Sequence, residues 1–393
     1  MTSATSTATG TWTTTGDLPT AGSFDAQHDS AVLLANGTVL LAGGAGASSA
    51  ALTQAARYDP ATGAWTATGA LHTPRRLHSA TRLADGRVLL AGGTSVGSQF
   101  PLPGLAAAEV YDPAVGGWTT TGAMHVPRWG HSAALLPDGT VLVAGGTAVR
   151  SGQSVTALRS AERYDPQAGT WAEAAPMTDA RTGHPAVVLD NGQVLVVGGS
   201  VPVSRTDEAA LAFCELYDPD ADAWAPTGSM LVPRSRHQAV LIAGAVSGTS
   251  VLVTGGSPPG ASGDGTFDPF SRSTAERYSQ ATGAWTAAAD MPAGRSHHRA
   301  VPLGSGKVLV VGGTDSVGND VGFASALVYD VGADSWAAAA GLATGRWAFA
   351  TAALADQRVL VTGGVARSGL AAASADAADL TATTELFTPG GTP

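Results

Sequence analysis

Residues 128–171 read RWGHSAALLPDGTVLVAGGTAVRSGQSVTALRSAERYDPQAGTW. An Arg-x-x-His pair, Arg128 and His131, opens this stretch, and an Asp138-Gly139 turn separates the next two runs. Gly145-Gly146 closes the second run, and Tyr164 and Trp171 follow. Asp-Gly between two apolar runs signals a tight hairpin, and the runs around Tyr164 and Trp171 add two more short strands. The pattern returns along the whole chain. Diglycines stand at Gly43-Gly44, Gly92-Gly93, Gly145-Gly146, Gly198-Gly199, Gly255-Gly256, Gly312-Gly313 and Gly363-Gly364, spaced 49 to 57 residues apart. Each is followed by an aromatic: Tyr58, Tyr111, Tyr164, Tyr217, Tyr278, Tyr329 or Phe387. All but the last then meet a tryptophan, at Trp65, Trp118, Trp171, Trp224, Trp285 and Trp336. Asn36-Gly37, Asp85-Gly86 and Asn191-Gly192 repeat the hairpin signal. No stretch carries a sustained apolar stripe at helical spacing, so helices are expected to be scarce.

A lone four-stranded unit cannot bury both of its faces, whereas blades packed around an axis can. The expected fold is all-β, a seven-bladed β-propeller. Glycine pairs let neighbouring backbones approach, and the tyrosines and tryptophans fill the space between blades. The seventh unit lacks a tryptophan strand, while Gly10-Thr11-Trp12-Thr13-Thr14-Thr15-Gly16 matches Gly117-Trp118-Thr119-Thr120-Thr121-Gly122 at the other end of the chain. Residues 10–17 are therefore expected to complete the last blade, closing the ring and removing its open edges. One propeller is read over 10–390, with blades near 25–70, 75–123, 128–176, 181–229, 234–290, 295–341 and 346–388 plus 10–17. Residues 1–9 are expected to form a flexible segment.

Diglycine, tyrosine and tryptophan at this period resemble the kelch motif. Kelch enzymes include galactose-oxidase-like copper radical oxidases, which need a tyrosine cross-linked to cysteine and further copper ligands. Here all six tyrosines hold the blade position. Plant specifier proteins of the family hold iron on a Glu-x-x-x-Asp-x-x-x-His run, which this sequence lacks. The bacterial sialic-acid mutarotase type, a six-bladed kelch protein that this chain resembles loosely, is the precedent for a metal-free role. Many eukaryotic kelch propellers are adaptors or actin binders.

Composition narrows the chemistry further. Of 393 residues 51 are glycine, about twice the usual share, while the apolar fraction of 44 % is that of a globular chain. A net charge of −10 disfavours a nucleic-acid partner, which needs a basic stripe. Cys214 is the sole cysteine, so no internal disulfide or multi-cysteine metal site is expected. No apolar run reaches membrane-span length. Met1–Gly10 has neither the basic nor the apolar region of a secretory leader, so a cytoplasmic location is expected. Lys307, the one lysine among twenty arginines, falls at a hairpin, which disfavours Schiff-base and pyridoxal phosphate chemistry. With no Walker loop and no Gly-x-Ser-x-Gly elbow, no cofactor is expected.

Removing what the repeat explains leaves the candidate site. Arg-x-x-His recurs as Arg75/His78, Arg181/His184, Arg234/His237 and Arg295/His298. The first unit reads as Asp25/His28 and the last as Arg346/Phe349. Most of these are expected to hydrogen-bond between blades. The departures cluster. Trp129, Trp347 and Arg76 follow the repeat arginine; Arg236 and His297 lie one residue later; Asp29 and Arg299 follow the repeat histidine; His72 and His125 share a slot three before the arginine. All sit where the innermost strand begins, at the mouth of the central channel. The long second-to-third connections, such as Thr94–Ala107 and Ser200–Cys214, emerge on the same face.

A small-molecule pocket at that mouth is the leading expectation, in a monomer and with no resident metal. Asp25 and Asp29 would accept protons, and His28 and His297 would shuttle them. Arg75, Arg76, Arg236, Arg299 and Arg346 would bind the substrate as anion or carbonyl clamps. Trp129 and Trp347 would form an apolar floor. The chemistry would be of isomerase, lyase or cyclase type. Two other readings stand beside it: a protein- or carbohydrate-binding propeller without catalysis, and a metal-dependent enzyme using the channel histidines.

Overall fold

Each unit folds as one four-stranded antiparallel sheet in the computed structural model, which describes residues 9–25, 31–97, 101–149, 154–203, 208–245, 248–257, 271–304, 306–315, 321–373 and 378–390. Unit three shows the plan: Ser132–Leu135, Val141–Ala144, Ala161–Asp165 and Thr170–Ala174 lie side by side in chain order. Gly139 sits at φ 84° in the first hairpin, the left-handed turn that Asp-Gly encodes. The seventh sheet runs from both ends of the chain. Ala350–Ala353 pairs with Val359–Thr362, then Thr384–Pro389, then Gly10–Thr15. The Trp12 and Phe387 rings meet at 5.1 Å and 51°, as Tyr111 and Trp118 meet at 5.0 Å and 48°. Among the described residues the one helical turn is Gly369–Ala371.

The core is divided among the blade interfaces. Val187, Leu195 and Val197 of unit four, for example, pack on Ala239, Val251, Tyr278 and Trp285 of unit five. The second-strand positions Val141–Ala144 are buried on both faces, which accounts for their unbroken apolar spelling. Where that strand ends, Gly145 takes φ 64°, and a Cβ there would lie 2.6 Å from Arg181 O and 2.7 Å from the His184 ring. The next blade rests directly on that glycine, so no side chain fits.

A buried ion pair, not anticipated from the sequence, staples five of these contacts. Arg128 donates to Gly145 O at 2.8 Å, Ser160 O at 2.9 Å and Glu162 at 2.9 Å. The same carboxylate accepts from the His125 and Val126 backbone N–H groups at 2.7 and 3.1 Å. Arg75–Glu109, Arg181–Glu215, Arg234–Glu276 and Arg346–Glu385 repeat the pairing. Two units depart from it. Unit six keeps Arg295 but has Leu327 in the acid's place and Pro292, which has no N–H, in the donor's place. Unit one has lost all three members: Gly22, Ala56 and Pro19 stand where Arg, Glu and the N–H donor belong. The assignment of Gly22 follows from its carbonyl, which accepts from Gly364 N–H as Arg181 O does from Gly146 N–H.

The second-to-third connections contain more β structure than expected of loops. Thr147–Val149 pairs with Val155–Ala157, Ser200–Pro202 with Glu208–Ala210, and Val365–Arg367 with Asp379–Leu380. These ribbons stand on the face where the innermost strands begin.

Candidate functional site

On that face, the slot two residues after each repeat arginine bends the backbone into the left-handed region. Leu77, Gly130, Gly183, Arg236, His297 and Ala348 have φ of 56, 63, 60, 54, 51 and 48°. For a non-glycine residue this costs roughly 1–2 kcal/mol, and such strain concentrates at functional sites. The bend lets adjacent slots bond around the axis. Gly183 N–H donates to Gly130 O at 2.8 Å, Gly130 N–H to Leu77 O at 3.0 Å, His297 N–H to Arg236 O at 3.3 Å and Ala348 N–H to His297 O at 3.1 Å. Phe24 N–H continues this collar, donating to Ala348 O at 2.6 Å.

Above the collar lie two adjoining cavities of about 260 and 230 Å³. Asp25, Arg76, Leu77, His78 and Arg236 border both; His297 and Trp347 border the first, and Trp129, Leu102 and Glu208 the second. Asp25, Arg76, Arg236, His297, Trp129 and Trp347, all singled out in the sequence, therefore converge. Asp25 is exposed, and its carboxylate lies 3.6 Å from Nε2 of the buried His297. Burial pushes the His297 pKa down to about 4, against the opposing pull of Asp25, so the imidazole is neutral at pH 7. Burial also lowers Arg76, with Asp25 again opposing. The Arg76 guanidinium is held by the carbonyls of Val96 and Gly97 at 3.3 and 2.7 Å. Arg236 faces Glu208 at 3.8 Å, and Trp129 Nε1 donates to Leu102 O at 3.1 Å. A neutral imidazole beside a carboxylate, flanked by two guanidiniums and two indoles, can move a proton on a bound carbonyl or acid.

Other expectations are corrected. Arg75 and Arg346, read as substrate clamps, are fully buried in the interblade pairs and reach neither cavity. Arg299 donates Nε–H to Phe349 O at 2.9 Å and an Nη–H to Phe24 O at 2.8 Å. It ties three units together below the collar and borders the separate axial cavity of about 560 Å³. Asp25 does not replace the repeat arginine. Gly22 does, and the Phe24 ring takes the histidine's place against Gly363. His28 and Asp29 lie outside the described residues. The repeat histidines are interblade groups: Nε2 of His131, His184 and His298 lies 2.9, 2.9 and 2.8 Å from a hydroxyl of Ser79, Ser132 and Thr254. Among the described residues no three His, Cys, Asp or Glu side chains converge as metal ligands.

Glu208 was missed because it stands in a connection with no periodicity; its one signal is length, since the Ser200–Cys214 connection is long. The strained slot was legible in part, as glycine at 130 and 183 beside arginine and histidine at 236 and 297.

The chain is a seven-bladed kelch-repeat β-propeller. The kelch motif model matches residues 128–178. Kelch-like protein 34 of Homo sapiens is 33 % identical over 171 residues, covering 44 % of this chain and 24 % of that protein. Kelch-like protein terF of Aspergillus terreus is 29 % identical over 242 residues, covering 59 % and 48 %. The chain thus spans less than half the length of these relatives. A fungal alcohol oxidase of the AA5 family, solved with copper, superposes with a TM-score of 0.72 at 20 % identity, covering 97 % of this chain and 76 % of that one. YjhT superposes at 0.58 with 15 % identity, covering 81 % and 98 %. At these identities the likeness is one of fold. The six tyrosines are paired with tryptophans inside the blades, and Tyr58, Tyr111 and Tyr164 bond Thr15, Thr68 and Thr121 of the preceding blade. No helix of the described residues is long and apolar enough to cross a membrane.

Proposed function

We propose that this propeller binds a small carbonyl- or carboxylate-bearing molecule at the channel mouth and moves a proton on it, as an isomerase, lyase or cyclase does. One observation carries the reading: Asp25 and the buried, neutral His297 stand 3.6 Å apart at a cavity also bordered by Arg76, Arg236 and Trp347. His297 takes the proton, Asp25 stabilises the imidazolium that results, and the guanidiniums hold the developing oxyanion. A separation beyond hydrogen-bond length is common in ligand-free sites and closes on binding.

The test is a thermal-shift screen of small keto acids, lactones and aldehydes, followed by NMR of carbon-bound deuterium uptake in D₂O. A binder should exchange a proton with solvent. Asp25→Asn and His297→Gln should each slow the exchange by about 10²-fold or more while remaining folded. Exchange untouched by both variants would sink the reading.

A second reading rests on Val203, Phe213 and Leu231, which are exposed at 63, 55 and 61 % on the same face. Together with the kelch-like relatives, they favour a peptide-docking surface. Phe213→Ser should then weaken partner capture and leave small-molecule binding intact.

A further inference from the structure

The missing ion pair of unit one leaves a space. In unit two the Arg75 guanidinium donates to Gly92 O and Ala107 O, each at 3.0 Å, and to Glu109 at 2.7 Å. Glu109 in turn accepts from the N–H groups of His72 and Thr73. By repeat position, Gly92, Ala107, Glu109, His72 and Thr73 correspond to Gly43, Gln54, Ala56, Pro19 and Thr20 in unit one. All five border a single cleft of about 210 Å³, whose other walls include Leu18, Phe24, Leu41 and Leu52. The volume that two charged side chains fill elsewhere is open here.

We propose that this cleft is a binding site for a compact, neutral, mainly apolar molecule bearing one hydrogen-bond donor. Its size exceeds the roughly 150 Å³ apolar cavity that admits benzene. The walls are mostly alanine, leucine, proline and phenylalanine, joined by Gly43 and the neutral polar Thr20, Gln54 and Thr68, with no ionisable side chain among them. A charged ligand would therefore be desolvated without a counter-charge. The main-chain carbonyls of Gly43 and Gln54 hold the positions that take the guanidinium in unit two, so one neutral donor satisfies what arginine satisfies there. The loss is concerted, since Gly22, Ala56 and Pro19 depart together. Unit six, which lost only the acid and the N–H donor, keeps its arginine in place, with Arg295 donating to Gly312 O at 2.9 Å. The Phe24 ring borders both this cleft and the first mouth cavity, yet the proposal stands independently of the function assigned to the mouth.

The experiment is a ¹⁹F NMR titration of the whole chain with 4-fluorophenol, with fluorobenzene in parallel. Saturable binding of one 4-fluorophenol per chain is expected, with fluorobenzene weaker. Ala56→Leu fills the cleft from its base and Ala67→Leu from its outer, exposed wall, so at least one should fold. Each should weaken binding about tenfold or more. Asp25→Asn should leave the binding unchanged, which separates this cleft from the mouth. Absence of saturable binding, or binding unaffected in a folded Ala56→Leu or Ala67→Leu variant, overturns the proposal.

Discussion

Two buried arginines, chemically identical and equivalent in the repeat, differ in what faces them. Arg128 sits against Glu162 at 2.9 Å. Arg295 donates to Gly312 O, Ser325 O and the Ser325 hydroxyl, and stands 5.6 Å from the Phe323 ring. No carboxylate pairs with it among the described residues, and burial lowers its pKa to about 10. Arg128→Met strands a buried carboxylate and should cost about 3–5 kcal/mol; Arg295→Met strands none and should cost clearly less. Denaturant unfolding of the two variants side by side checks this, and equal losses would show that the carboxylate contributes nothing. At this scale the sequence was half legible. Trp129, Arg236 and His297 were found because each breaks a repeated slot. Arg75 and Arg346 were misassigned because the spelling of Arg-x-x-His does not say that its arginine is buried. In the first unit six residues, 25–30, lie between Phe24 and Ala31, whereas Ser79 alone lies between His78 and Ala80, which pairs as Ala31 does. That insertion shifted the reading, so that Asp25 fell into a slot that Gly22 fills.

The outermost strand of the last blade shows how one element serves from a distance in sequence. Gly10–Thr15 pairs residue for residue with Thr384–Pro389. Trp12 Nε1 donates to Ala340 O at 2.7 Å, and Thr15 Oγ1 bonds the Tyr58 hydroxyl at 2.9 Å, so this strand touches units six and one as well as its own. The Trp12 ring is half-buried, so Trp12→Ala should cost somewhat less than the roughly 3–5 kcal/mol of a fully buried tryptophan. Calorimetry should show one lowered transition; an unchanged melting temperature would mean that the strand is not part of the cooperative unit. This element was legible because its neighbours repeat the same letters. The three ribbons beyond the diglycines were not, because the sequence and length of the second-to-third connection change from one unit to the next.

Acid should reach the whole molecule through its ring of histidines. Burial, aided by Arg75 and Arg128 respectively, pushes the pKa values of His78 and His131 down to about 3. An unfolded chain has histidines near 6.5, so between those values the unfolded state binds protons that the folded state refuses. Stability is therefore full above about pH 6.5 and falls as the pH drops, by about 1.4 kcal/mol per unit for each such histidine. Burial pulls Glu109 and Glu162 upward, but backbone N–H groups and the paired arginines outweigh it and hold both below the usual carboxylate value. Their contribution is lost further down, below about pH 4.5. Urea midpoints at pH 7, 6 and 5 should decline steadily; a midpoint flat to pH 5 would contradict the buried, neutral state of the histidines.

Because Gly10–Thr15 and Thr384–Pro389 are neighbours in one sheet, Gly390 N–H donates to Thr9 O at 3.1 Å. The two ends of the described fold thus already touch, on the face away from the mouth. A few residues linking Thr9 to Gly390 would close the described fold into a circle, and a cut at Asp85-Gly86 or Asp138-Gly139 would reopen it with a different blade as the seam. Order along the gene and order around the axis are separable in this molecule. The functional mouth, assembled from the starts of the innermost strands, would survive such a relocation of the chain's beginning.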